Sequence, residues 1–231
     1  KEQKKDNMNA LFNKFYSSES EYDESLKKFI EETVLNDKKN TPFYSTDGKS
    51  KALYSEIIDN IVVQTAQNGR AINTIIETWI EKVKNQIVNN KNLRIEELNE
   101  NPQFIEKEIL NLTSSFTTSL ISYEFGQAII QYYRGILEED YDKKEKALRW
   151  LRGNIETKTE AKKELGIGKI INDDNWYEAL KTFGELILDM GYSGFVVNFD
   201  ELVNLYKIPQ SQTREKNYEK ILNIFNEWFI V

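Results

Sequence analysis

Gly194-Phe195-Val196-Val197-Asn198-Phe199-Asp200-Glu201 decides how the rest of the chain is read. An apolar, β-branched run stops abruptly at two adjacent carboxylates. A buried parallel strand has this composition, because both of its faces are covered and it needs no polar alternation. Such a strand delivers its last residues to the sheet edge where open α/β folds bind ligands. The same letters also fit a plain core strand followed by a helix whose first turn carries acids that suit the helix dipole. On either reading, residues 195–199 are expected to form a buried strand ending at Asp200. A buried strand needs neighbours to pair its backbone groups. The best second candidate is Phe29-Ile30-Glu31-Glu32-Thr33-Val34-Leu35, whose period fits helix and strand equally.

Outward from that run the chain reads as helices. Only 3 prolines and 10 glycines interrupt 231 residues, and abundant Glu, Lys, Leu and Ile favour helix. Apolar residues recur at helical spacing over 8–32, over 51–65 (Leu53, Ile57, Ile58, Ile61, Val62) and over 71–88 (Ile72, Ile75, Ile76, Trp79, Ile80, Val83, Ile87). Residues 36–48 read as a polar loop, Gln67-Asn68-Gly69 as a turn, and the Asn-rich 89–101 as a linker closed by Pro102. Further helices are expected over 104–112, over 116–137 with a bend near Gly126, and over 143–151. Another starts at Thr159 and ends before Gly166. Asn172, Asp173 and Asp174 are N-cap candidates for a helix over 175–190, and Gly191 suits its C-terminal turn. The last helix spans 213–229, with Tyr218, Ile221, Leu222, Phe225 and Phe229 expected inward. Trp79, Trp176 and Trp228 sit at helical spacing with other apolar residues and read as core.

Composition excludes several chemistries. The chain has neither histidine nor cysteine, which removes thiol nucleophiles, imidazole bases and the usual zinc ligands. A bound metal would be a hard cation such as Mg²⁺ on carboxylate or carbonyl oxygen. The net charge of −7 argues against a dominant nucleic-acid footprint, which needs a local excess of Lys and Arg. No apolar run approaches the ~20 residues of a membrane span. The charged start, Lys1 to Asp6, has no signal-peptide core, so a cytoplasmic protein is expected.

Five short motifs bear on function. In a nucleotide hydrolase, an acid pair at the end of an apolar strand is the Walker B element: the first acid serves Mg²⁺ and the second orients the attacking water. Gly48-Lys49-Ser50 looks like the end of a phosphate-binding loop, but the pattern needs glycine where Phe43 stands, so it reads as a turn before a helix. Gly166-Ile167-Gly168-Lys169 reads as a helix C-cap and turn. Arg149, Arg152 and Lys158 form a basic spot beside Trp150, able to meet phosphate or carboxylates or simply to be a solvated helix end. Asp173-Asp174 fits Mg²⁺ binding less well than helix capping. Adjacent acids on a strand point to opposite faces, which is wrong for two carboxylates flanking one scissile bond.

Three stretches, read together, carry a resemblance. They are Ala147-Leu148-Arg149-Trp150-Leu151-Arg152-Gly153 with Thr157-Lys158-Thr159-Glu160-Ala161; Ile171-Asn172-Asp173-Asp174-Asn175-Trp176-Tyr177; and Asp200-Glu201-Leu202-Val203-Asn204-Leu205-Tyr206-Lys207 with Asn217-Tyr218-Glu219-Lys220. In this order and spacing, with Tyr44-Ser45-Thr46-Asp47-Gly48 and Leu53-Tyr54-Ser55-Glu56 upstream, the chain resembles the bacterial ATP-binding protein family of BREX-type phage-defence systems over roughly 40–225. The resemblance implies an α/β, predominantly helical fold: a P-loop-ATPase-like core with a partial parallel sheet and a large helical insertion. Residues 1–50 would be the N-terminal part of that core, 51–170 the insertion, and 171–231 the Walker B strand with its flanking helices. It implies ATP and Mg²⁺ as cofactors, with Asp200 as the metal residue and Glu201 as the catalytic, water-activating one. Partners would be other proteins of the defence system, and DNA through the assembled complex. The sequence departs from that pattern in having no glycine in 8–32 and in stopping at Val231, so an incomplete ATPase domain and a degenerate member are both open, and weak ATP binding by this chain alone is expected. The alternative is a nucleotide-free helical scaffold or regulatory module of ATPase ancestry.

Overall fold

The computed structural model describes residues 51–63, 71–91, 94–192, 194–197 and 209–228, without the side chains of 99, 220, 221 and 223–228. The chain divides into two units, Lys1–Thr41 and Pro42–Val231, and every described residue belongs to the second. The helices expected over 8–32 and the candidate strand over 29–35 lie outside the described residues.

The described residues form α1 (Lys51–Asp59), α2 (Ala71–Lys91), α3 (Ile95–Asn99), α4 (Gln103–Phe116), α5 (Leu120–Leu137), α6 (Tyr141–Leu151), α7 (Lys158–Leu165), α8 (Trp176–Asp189) and α9 (Ser211–Trp228). Helix α5 is the centre of the packing. It lies against α4, α6 and α8, while α4 also meets α2 and α8, and α1 meets α8. Its sequence explains the role: Phe125, Ala128, Ile129, Tyr132 and Tyr133 bury several faces at once, as a helix enclosed by others must. Phe125 links Trp150 of α6 and Phe183 of α8 through edge-to-face contacts at 6.2 and 6.4 Å, a favoured aromatic geometry. Trp79 and Trp176 are buried as expected, and the side chain of Trp228 lies outside the described residues.

Helix ends follow local chemistry. Ser119 accepts the Ile121 N–H at 3.1 Å, Asp140 that of Lys143 at 2.9 Å, and Thr157 that of Glu160 at 3.1 Å, each supplying an acceptor for an otherwise unpaired N–H. Gly166 and Gly191 close α7 and α8 with φ of 72° and 93°, a left-handed conformation that glycine adopts without strain.

The sheet is the principal correction. The α/β class and the P-loop-ATPase-like core with a partial parallel sheet are not what the structure shows: among the described residues there is no strand, and Val63 alone makes an isolated bridge. Residues 194–197 have no regular structure, and Val196 is 64% exposed. Only Phe195 turns to the core, its ring 5.8 Å from that of Phe183. A run of four or five apolar residues fits a strand, a helix segment or a loop with one inward side chain; of its described residues none is in a strand, and Phe195 makes an aromatic contact with α8. Residues 198–201 lie outside the described residues.

Smaller corrections share one cause, the override of period by neighbours. The helix expected over 51–65 stops at Asp59, although Ile61 and Val63 are buried beyond it. The linker expected over 89–101 holds α3, whose start is fixed by Arg94 donating its N–H to Glu97 at 3.1 Å. Tyr218 and Leu222, expected inward on α9, are 40% and 54% exposed, whereas Asn217 is buried.

Candidate functional site

Asp200 and Glu201 lie outside the described residues, as do Gly48, Lys49 and Ser50. The structure does describe the end of α8 and residues 194–197 beyond it. Helix α8 ends in Asp189, an acid where the helix dipole disfavours negative charge, and it has no basic residue of its own in that turn. Helix α2 supplies the compensation. Trp79 Nε1 donates to Asp189 Oδ2 at 2.7 Å, and Lys82 Nζ stands 3.0 Å from the same oxygen. Lys82 also donates to the Asp189 backbone carbonyl, one of the last-turn carbonyls with no partner inside the helix. Past the turn at Gly191, Phe195 docks on Phe183. The end of α8 is therefore held at Asp189, and Phe195 beyond it packs on the same helix.

The other sequence-predicted sites resolve into structural roles. Arg149 is 2.7 Å from Glu160 and 3.7 Å from Glu164, and Arg152 is 3.4 Å from both Asp59 and Glu145. Trp150 is buried and donates to the Lys169 carbonyl at 2.8 Å. Of that basic spot, only Lys158 is exposed. Asp173 does cap a helix, but not the adjacent one: its Oδ1 accepts the Lys51 N–H of α1 at 2.8 Å. The loop before α8 is organised instead by Asn172 Oδ1, which accepts the N–H groups of Asp174 and Asn175 at 3.0 and 3.2 Å. Gly166 is a C-cap, and Gly168 donates its N–H to the carboxylate of Glu124.

Three described carboxyl groups are perturbed: the hydrogen bonds of Arg94 lower Glu97, and two others are raised. Burial raises Glu124 above its ordinary value of 4.5, against the Gly168 N–H and the charge of Lys169. Burial likewise raises Asp59, more than Arg152 and Asn154 lower it. Among the described residues, no cluster of three or more carboxylates is placed to hold a metal ion. ATP needs cations and convergent N–H groups for its phosphates; the described arginines beside Trp150 are already paired with carboxylates, so that spot does not fit a triphosphate. No described helix is long and apolar enough to cross a membrane.

Comparison with known families turns on the long match. A family model described as BREX system ATP-binding protein BrxC/D matches residues 22–230. The chain belongs to this family. No curated protein and no solved structure matches it. Within the BrxC/D chain, Arg149, Trp150, Arg152, Thr157, Asn172 and Asp173, all in the stretches that carried the resemblance, are fasteners between helices and loops. Sequence reasoning missed Trp79, Lys82 and Asp189 as a group. The one signal was the lone acid ending α8, which asks for a cation from elsewhere.

Proposed function

We propose that the chain handles ATP·Mg²⁺ within a BREX defence assembly in the cytoplasm, with Asp200 serving the metal and Glu201 the attacking water. The observation that carries this reading is the match to a family of ATP-binding BREX proteins across 22–230, a span that includes the acid pair. The placement of the pair does not depend on a sheet in this reading. It depends on the two carboxylates taking different roles, one toward the metal and one toward water. Mg²⁺, when bound, would neutralise phosphate charge and favour charge development on the transferred group. The chain's own part is to supply Asp200 as a hard oxygen donor and Glu201 as a base within reach of a water. Other proteins of the BREX system are the proposed partners, with DNA met through the assembled complex.

A second reading is a helical scaffold or regulatory module. The exposed apolar pair Tyr218 and Leu222, one turn apart on α9, favours it, since such pairs anchor helices in partner grooves.

Calorimetric titration of ATP into the full-length protein, with and without Mg²⁺, tests the proposal. Wild type should gain affinity from Mg²⁺, and Asp200→Asn should lose that gain. Equal Mg²⁺ dependence in the two proteins would reject Asp200 as the metal residue.

A further inference from the structure

Helix α7 sends its two signs of charge in different directions. Its acids, Glu160 and Glu164, lie 2.7 and 3.7 Å from Arg149 of α6. Ala161 and Leu165 are buried. Lys158, Thr159, Lys162 and Lys163 are exposed. At 3.6 residues per turn these four fill one sector of about 140° that holds no acid. Among the described residues, Lys158, Lys162 and Lys163 have no ion pair or hydrogen bond. The acid that precedes the helix, Glu156, is engaged by Lys51 at 3.0 Å. On α6, Lys146 is neutralised by Asp142. The outward face of α7 is therefore a cationic row inside a chain of net charge −7. Distant acids do not cancel it, because charges more than ~8 Å away are largely screened at physiological salt.

We propose that this face of α7 docks on the phosphate backbone of duplex DNA, with Lys158, Lys162 and Lys163 each meeting a phosphate. This gives a place on the chain to the DNA contact proposed above and rests on that part of the reading, not on the acid pair. The composition of the face selects the partner. Protein interfaces are centred on apolar and aromatic anchors, and no large apolar side chain between residues 142 and 187 is exposed. A phosphate backbone needs cations alone. Lysine suits it as a flexible point charge, without the bidentate fork that reads a base edge. The docking is accordingly independent of DNA sequence.

The test is fluorescence anisotropy of a labelled, random-sequence DNA duplex titrated with the full-length protein at several salt concentrations. Wild type should bind with log affinity falling against log salt at a slope of about −2.7 or steeper, roughly 0.9 for each of three neutralised phosphates. Combining Lys158→Gln, Lys162→Gln and Lys163→Gln should weaken binding at low salt by about tenfold or more and make the slope shallower by about two to three. Each single change should remove about one unit of slope. The triple variant should unfold in urea at the wild-type midpoint, since the replaced side chains are exposed and without partners. A control combining Lys91→Gln, Lys107→Gln and Lys216→Gln, all exposed, makes the same change in net charge and should leave binding and slope as in wild type. Equal affinity and slope in wild type and the α7 variant would overturn the proposal, and so would an equal loss in the control. Wild type that ignores the duplex but binds poly-glutamate would assign the face to an acidic protein and overturn it too. Calorimetric titration of ATP·Mg²⁺ into the α7 variant should match wild type, so failure of the DNA docking and failure of the ATP-handling reading are told apart.

Discussion

Single residues show how closely the helices have been fitted. Gly126 is buried on α5 where α4 crosses it, and a Cβ added there would stand 2.2 Å from Thr113 Oγ1. Thr113 has no room to retreat, since its hydroxyl is bonded to the Ile109 carbonyl at 2.8 Å. Gly126→Ala should cost about 1–3 kcal/mol, the usual range for forcing atoms into a packed crossing, and pairing it with Thr113→Ala should recover part of that in urea unfolding. Glu124 makes a pH prediction. Burial raises its folded pKa above the ordinary 4.5, so its folded form binds a proton more tightly than its unfolded form. The stability this confers is complete below the unfolded value and is lost as pH rises through the folded value. Urea midpoints should therefore fall as pH increases from 4.5 upward through this window. Glu124→Gln, whose amide oxygen still accepts the Gly168 N–H, should flatten that slope and be the more stable protein at pH 7. A variant with an unchanged slope would assign the pH dependence to another group such as Asp59.

At the level of elements, the loop between α7 and α8 is fastened from several sides: Trp150 holds Lys169, Glu124 holds Gly168, and Asp173 reaches α1. Asp173→Ala should cost about 1 kcal/mol, the typical loss of a helix cap, while Asp174→Ala should stay within about 0.5 kcal/mol; chemical denaturation separates them. Much of this level was legible in the sequence. Period placed α2, α5, α6 and α8 because each has apolar residues at helical spacing over three turns or more, and Gly166 marked the end of α7, whose start lies at Lys158 behind the Thr157 cap and not at Thr159. The target of Asp173 was not legible, since a side chain 122 positions from its partner leaves no local pattern. Phe195-Val196-Val197 misled for a related reason. β-branched residues suit a strand only when a ladder is present, and among the described residues 194–197 there is none, while Phe195 packs on Phe183. The break between α4 and α5 was placed at 113–115 instead of 117–119, because Thr117 and Ser119 are weak punctuation compared with Gly or Pro; just beyond it Ser122 closes a hydroxyl bond of 2.8 Å to Thr182 of α8.

The chain is a BrxC/D family member whose described part is helical and whose proposed chemistry lies in sequence after α8. Family membership rests on 22–230, and the fasteners around Arg149, Trp150 and Asp173 give those stretches a structural reason for their residues. The acid pair lies outside the described residues, and the functional claim rests on the family match that spans it. Single-turnover hydrolysis and ATP binding, measured together on full-length wild type and Glu201→Gln, test that claim most directly. The amide keeps the size and shape of the side chain but removes the base. The account predicts that Glu201→Gln binds ATP·Mg²⁺ as wild type does and hydrolyses it slower by about 10² or more, the scale of a lost general base. Hydrolysis at the wild-type rate would contradict it and leave the helical scaffold as the better description.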